Sequence, residues 1–471
     1  MTDYNIDSLL KSGCEKFKNK GYIYEKQNGE YVKKTFGEFN CDVLSFASFL
    51  IGKGLTKENI ALYGPNSYNY MVADIAIMGY VGTCVSISKE WKTYDIANAF
   101  RKIDIKALVY DETKEKEIIK LKKLFPLIEY ISLKSEVYKT NNKISPANPS
   151  NCSKIVFSSG TTGIPKAIML SQKNMFANWE NLYKRAKLTC DDVCYLFLPL
   201  SHVYAGICIF LYSLITGMQI YLSGDNKNMF YELNRINPTV LCAVPLIYEK
   251  LYNLCMNEKK RPEDFLGKNI QYLFSGGAFL KSEIRQYIKN CGLNLLHSYG
   301  LSETSSIVAV EYSNKDDFDS VGTIFENMDV KTDTPNGKDE GEILVRGDNV
   351  FMGYYNIKKD DTFDAYGYFH TGDIGYIKGD RLYISGRKKR IILFSNGENV
   401  YPDEIENLFL TYNGITKAKV YEKENKIFAQ IYISENLNIN DIISNINSKL
   451  PKYSHITDYE AIHDNISIRI K

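Results

Sequence analysis

A chain of 471 residues with 44% hydrophobic and 24% charged side chains has the composition of a soluble globular protein with room for several cores. Its net charge of +2 includes no basic run, which argues against a nucleic-acid partner; a small acidic ligand needs only a local basic site. The ten cysteines form no CxxC pair and the five histidines show no ligand spacing, so free thiols in a reducing, cytoplasmic compartment are expected rather than disulfides or zinc.

At the N-terminus, residues 1–20 carry Asp3, Asp7 and Glu15 and lack the apolar stretch of a signal peptide. Helix-like and strand-like segments then alternate as far as Tyr299. Residues 59–63 read as a strand, 68–80 as an apolar helix, 81–88 as the next strand and 107–110 as another buried strand. This rhythm predicts parallel sheets covered by helices. Residues 142–151 form a connector rich in Pro, Asn and Ser. Between Val193 and Gly224 there is no charged residue, and length alone would allow a membrane span. No Lys or Arg flanks the run closely, and Gly217 followed by Met-Gln-Ile-Tyr-Leu predicts a buried helix that ends and leads into a strand. No transmembrane segment is expected, which leaves peripheral contact as the only membrane association open. From Val321 shorter strands with Gly and Asp turns appear, at 341–347 and 379–386. The end of the chain predicts a small α+β unit, with a helix at 403–411, strands at 415–422 and 426–433, and a helix at 440–449. The joint falls at 386–390.

The densest chemistry lies in the segment from Ile155 to Leu170. Two apolar, strand-like runs flank Ser158, Ser159, Gly160, Thr161, Thr162, Gly163, Ile164, Pro165 and Lys166. The glycines permit backbone shapes that aim successive N–H groups at one anion. The hydroxyls add donors and Lys166 adds charge. The pattern is a phosphate cradle, and it lacks the glycine spacing and Gly-Lys-Ser/Thr ending of a Walker loop.

This loop resembles the signature of the adenylate-forming superfamily of AMP-binding enzymes, which includes acyl-CoA synthetases. Other segments of that family follow in order: Leu198-Pro-Leu-Ser-His, Ser275-Gly-Gly-Ala, Tyr299-Gly-Leu-Ser-Glu-Thr, Tyr368-Phe-His-Thr-Gly-Asp and Ser385-Gly-Arg-Lys-Lys-Arg. The stretches 237–251 and 392–402 look most similar to long-chain fatty acyl-CoA synthetases. The resemblance implies an α/β fold. A large N-terminal domain of mixed and parallel sheets covered by helices (1–385) would carry a small β-barrel-like subdomain. A hinge (386–390, centred on Lys389) would lead to a small mobile α+β domain (391–471).

It also implies ATP and Mg²⁺ as cofactors and CoA as co-substrate. Lys166, Thr161, Glu303, His202 and Arg469 would be catalytic. Glu303 would hold Mg²⁺ with help from Thr161, in keeping with the preference of Mg²⁺ for carboxylate oxygen. Residues 158–163, Gly276, Gly277, Ala278, Ser298, Tyr299, Gly300 and Ser302 would surround the nucleotide. Tyr299 would stack on adenine, Ser302 would contact the α-phosphate, and Asp373 and Arg387 would bind ribose or phosphate. His202 would sit near the substrate carboxylate. Amino-acid-activating relatives carry an Asp early in the region 193–224, and none stands here, which favours an acid without an α-amine. The implied reaction joins a carboxylic acid, expected to be a fatty acid, to AMP and then to a thiol. Nothing nucleophilic is required of the protein, because positioning and charge neutralisation do the work.

Two departures stand out. Arg390 occupies a position where the family usually has Asp or Asn. Arg469 falls where the family's terminal lysine is expected, with Lys471 nearby, and arginine differs from lysine in shape and reach. Two alternatives therefore stand beside a CoA ligase: an enzyme that loads an acyl carrier protein, and a non-catalytic nucleotide- or acyl-binding homologue.

Overall fold

Short, buried, β-branched runs separated by helices build two sheets, because each strand must cover both of its faces. The computed structural model describes residues 5–134, 142–158, 165–223, 228–312, 317–334, 340–390, 392–393, 399–400, 402–423, 426–450 and 454–463. In the seven-stranded sheet the order is Gly353–Tyr354, Ala167–Ser171, Cys152–Phe157, Thr83–Ile87, Asn59–Tyr63, Ala107–Tyr110 and Glu129–Ser132. The strands from Cys152–Phe157 onward are parallel, and the two before it are antiparallel. The helix Tyr68–Ala76, continued by a π-helical turn at Ile77–Val81, packs over this sheet. One buried ion pair joins the layers. Lys154 Nζ lies 2.7 Å from both carboxylate oxygens of Asp74, and each side chain is 1% exposed.

The second sheet has thirteen strands. Gly21–Gln27, Gln219–Leu222, Val193–Leu196, Val240–Ala243, Tyr272–Ser275 and Asn294–Tyr299 run parallel, and Glu30–Thr35 pairs antiparallel with Gly21–Gln27 at the edge. Antiparallel strands extend it through Ala309–Val310, Thr323–Ile324, Arg381–Arg387, Phe369–Lys378, Gly341–Gly347 and Met328–Asp333. These strands form an open run ending on the edge strand Met328–Asp333, where the resemblance implied a barrel-like unit.

The uncharged stretch folds as a buried π-helical segment (Tyr204–Leu211), a short α-helix (Tyr212–Thr216) and the strand Gln219–Leu222. Gly217 ends the helix in the left-handed region at φ 72°, and a Cβ there would sit 2.7 Å from the Phe17 ring. Among the described residues no helix is long and apolar enough to cross a membrane.

The C-terminal residues have their own core, in which Val400, Ile405, Phe409, Ile431, Ile446 and Ile456 meet. Helices Pro402–Leu410 and Ile439–Lys449 pack with the strands Ile415–Lys423 and Lys426–Ile433. A further strand, Ile456–His463, pairs parallel with Lys426–Ile433. Sequence reasoning missed it, because of its eight residues only Ile456 is buried and no alternating pattern marks it.

Candidate active site

The phosphate-cradle segment begins and ends on a two-stranded hairpin in which Phe157 pairs with Ala167. Ser158 N donates to Lys166 O (3.0 Å), and Lys166 N donates to Ser158 Oγ (3.1 Å), closing the loop at its base. Ser159, Gly160, Thr161, Thr162 and Gly163 lie outside the described residues, as do Arg469 and Lys471.

Lys166 faces a cavity of about 480 Å³. Ser158, His202, Gly276, Gly277, Ser298, Gly300, Ser302, Glu303 and Arg387 also line it, so residues far apart in sequence meet around one space. Ala278 is exposed and is not part of the lining, while Tyr299 and Asp373 stand just behind it.

One end of the cavity is built by the strand Asn294–Tyr299 and the turn that follows. Gly300 is required by packing, since a Cβ there would lie 1.8 Å from Ser306 O. Gly277, which follows the strand Tyr272–Ser275, has φ +84°. Ser298 Oγ donates to Ser275 O at 3.1 Å. Ser302–Thr304 form a single 3-10 turn rather than the start of a capped helix. The turn brings Glu303 Oε1 within 2.9 Å of the Tyr354 hydroxyl, which donates to it. Lys166 Nζ sits 4.5 Å from the centroid of the same Tyr354 ring. Burial pushes the Glu303 carboxyl above its ordinary pKa, and its own backbone N–H, Tyr354, Lys166 and Arg387 pull it back.

An adjoining wall is organised by the hairpin of Phe369–Lys378 and Arg381–Arg387, where Asp373 and Arg387 are register partners. Arg387 Nε lies 2.9 Å from Asp373 Oδ1, and the Tyr299 hydroxyl donates to Oδ2 at 2.6 Å. Asp373 is 2% exposed, and burial raises its pKa despite the Arg387 charge. Both of its oxygens are therefore engaged by protein groups in this arrangement, and a carboxylate retains further lone pairs for sugar hydroxyls.

Glu342, absent from the sequence-based site, is a third carboxylate at this cavity. It accepts from Lys388 Nζ (2.6 Å) and Gly372 N (3.1 Å) and bonds His370 Nδ1 (3.0 Å). Burial opposes its ionisation, but His370 and Lys388 outweigh that and hold its pKa below the ordinary value. His202 is open to solvent at the cavity wall, yet the surrounding protein lowers the pKa of its imidazole. Its Nδ1 accepts from Tyr204 N at 3.3 Å, consistent with a neutral ring.

Residues 10–355 match the AMP-binding enzyme family. The chain belongs to that family. This AMP-binding enzyme is 28% identical over 350 residues to the peroxisomal long chain acyl-CoA synthetase 6 of Arabidopsis thaliana; the match covers 63% of this chain and 49% of the relative. It thus spans about half the length of that relative. It is 26% identical over 409 residues to a 2-succinylbenzoate–CoA ligase of Staphylococcus epidermidis, covering 85% and 83% of the two chains. The fold is that of the Bacillus subtilis O-succinylbenzoate coenzyme A synthetase solved with AMP, at a TM-score of 0.83 and 21% identity over 97% of this chain and 94% of that one. The same Bacillus enzyme has been solved with ATP and magnesium ion.

The donor set of this AMP-binding enzyme fits Mg²⁺ delivered with a nucleotide. Among the described residues no group of three His, Cys, Asp or Glu side chains could hold a metal by itself. Mg²⁺ commonly takes one or two protein carboxylates and completes its shell with phosphate oxygens and water. Glu303 accepts from one phenol and from its own backbone N–H, which leaves lone pairs for a cation.

Sequence reasoning overlooked Tyr354, Glu342, His370 and Lys388. His370 stood inside a quoted motif and Lys388 beside Arg387, so proximity was the available signal. Glu342 read as an ordinary strand residue, and Tyr354 fell in no segment assigned from the sequence.

Proposed function

We propose that this AMP-binding enzyme activates a carboxylic acid with ATP and passes the acyl group to the thiol of CoA. The observation that supports this most directly is a single cavity that gathers Lys166, Arg387 and Glu303. Two cations suit a polyphosphate, and one carboxylate suits its metal ion. In the first step a carboxylate oxygen of the acid attacks the α-phosphorus, the bond to the bridging oxygen breaks, and pyrophosphate leaves. In the second step the thiol sulfur attacks the acyl carbon and AMP departs with the electron pair of the broken C–O bond. Lys166 would neutralise charge on the phosphates, and Arg387, held by Asp373, would steady the nucleotide. His202, neutral at the wall, would orient the acid without competing as a cation. Mg²⁺, when bound at Glu303, would supply charge neutralisation at the phosphates.

A fatty acid is the favoured substrate, supported by the likeness of 237–251 and 392–402 to long-chain synthetases and by the Arabidopsis relative. The 2-succinylbenzoate ligase relatives make an aromatic acid the natural comparison in any assay. The small C-terminal unit would swing about Lys389 between the two steps. Two anchors support this pivot. Lys388 is held by Glu342 on one side of Lys389, and Arg390 is held by Asp403 and by Glu406 (2.5 Å) on the other.

The test is pyrophosphate release by the full chain with ATP, Mg²⁺ and a panel of aliphatic and aromatic acids. Release that depends on one class of acid supports the reading and names the class. Acyl transfer to CoA, compared with transfer to a holo carrier protein, then identifies the acceptor. Absence of release with every acid would overturn it.

A further inference from the structure

We propose that Tyr354 is a positioning residue that keeps the phosphate-binding cation and the metal-binding carboxylate apart and separately available; this rests on the function proposed above. Tyr354 lies on a two-residue strand, Gly353–Tyr354, whose partner is the downstream arm of the phosphate hairpin, with Tyr354 opposite Ile168. Met352 N donates to Met169 O and Tyr355 N to Ala167 O, both at 2.9 Å, so the backbone on either side is tied to that arm. Phe351 N donates to Glu303 O at 2.8 Å, which fixes Glu303 to the same segment. The Tyr354 ring is 7% exposed and packs against Phe351 at 4.8 Å and 70°. Its position is thus set by three neighbours before any ligand arrives.

From that position it makes two contacts of different kinds. Its hydroxyl donates to Glu303 Oε1 at 2.9 Å, and its face carries Lys166 Nζ at 4.5 Å from the centroid. A phenol is a neutral donor. It orients a carboxylate without cancelling its charge, whereas an arginine or lysine partner would do both. The ring face attracts an ammonium group through its quadrupole, again without neutralising it. Among the described residues Lys166 and Glu303 form no ion pair, although both line the same cavity. The Lys166 charge is felt at Glu303, and opposite charges lining one cavity can close into a pair when nothing else holds them. The tyrosine prevents this by giving each a neutral partner. Glu303 then presents its remaining lone pairs to a divalent cation, and Lys166 presents its charge to phosphate.

The hydroxyl and the ring can be separated by substitution. In Tyr354→Phe the ring stays under Lys166 and Glu303 loses its orienting donor. In Tyr354→Leu both contacts go, and Lys166 is free to pair with Glu303. The experiment is a titration of the full chain with Mn²⁺, followed by electron paramagnetic resonance, in the presence of a non-hydrolysable ATP analogue. Binding of the analogue without metal is measured in parallel. Expected is a roughly 10-fold weaker Mn²⁺ affinity in Tyr354→Phe with metal-free analogue binding unchanged, and weakening of both in Tyr354→Leu. Melting temperatures within a few degrees of the parent would separate this from a loss of fold, and Tyr354→Phe decides the matter if the leucine variant does not fold. Mn²⁺ affinity in Tyr354→Phe equal to or tighter than the parent would overturn the proposal while leaving the function intact. Failure of the parent itself to bind Mn²⁺ with the analogue would overturn both.

Discussion

Glu303 and Asp373 are two carboxylates raised in pKa by burial at one cavity, and their partners divide their roles. Glu303 faces a neutral phenol, and Lys166 sits over the ring of that same tyrosine. Asp373 is paired directly with Arg387 and receives the Tyr299 hydroxyl on its second oxygen. A buried carboxylate whose charge is not cancelled at contact distance is poised to take a cation. One already paired with a guanidinium is held in place and can at most accept further hydrogen bonds. Glu342, which bonds Lys388, His370 and the Gly372 N–H, belongs with Asp373 on this count. On the function proposed above, the nature of the partner, rather than the depth of burial, would separate a metal ligand from an organising residue.

The largest effect should come from the end where charge is left open. Lys166→Ala and Glu303→Ala are each expected to lower pyrophosphate release by about 100-fold or more, the scale seen when a preorganised transition-state contact is deleted. Measured rates within a few-fold of the parent would place the phosphates elsewhere. Asp373→Asn tests the paired end. It should cost less, about 10-fold in kcat/KM for ATP, because Arg387 remains to meet the nucleotide. If it cost as much as Glu303→Ala, the distinction between the two carboxylates would fail.

A buried pair away from the cavity gives a third test of the same rule. Lys154→Met strands Asp74 without its cation and should destabilise the fold by about 3–5 kcal/mol, whereas Lys154→Met combined with Asp74→Leu should recover most of that in a denaturant titration. Equal loss in the single and double variants would show that volume, not charge, dominates there.

The smallest effect is a pH dependence at Glu342. Its folded-state pKa is depressed, so its contribution to stability is fully present above the unfolded value of about 4.3 and is lost as pH falls through the lower folded value. The melting-temperature difference between the parent and Glu342→Gln should accordingly be greatest near neutrality and shrink in acid. A difference that grows on acidification would reverse the sign of the inferred interaction.

Much of the cavity lining was legible because the candidate chemistry is concentrated in short segments. Ser158 and Lys166 were found from one loop, and Ser302 with Glu303 from one hexapeptide. What escaped were residues whose role depends on a distant partner. Tyr354 meets Glu303 across 51 positions, and Lys388 meets Glu342 across 46. Neither pairing leaves a periodic trace, and each residue taken alone looks like an ordinary strand or surface side chain. Asp373 shows the converse. A ribose contact was expected for it, and the structure reveals that Tyr299 and Arg387 already engage both of its oxygens.

By itself the sequence determined the alternation of helix and strand, the two strands flanking residues 158–166, and the burial of the uncharged run with its stop at Gly217. Periodicity, turn chemistry and absence of charge act over a few residues, so they are written locally. Only the tertiary structure decided which carboxylate meets a phenol and which a guanidinium, that the later strands form an open antiparallel run, and that Ile456–His463 adds a strand to the C-terminal sheet. Those outcomes depend on hydrogen bonds between residues far apart in sequence, whose geometry exists only once the sheets have assembled.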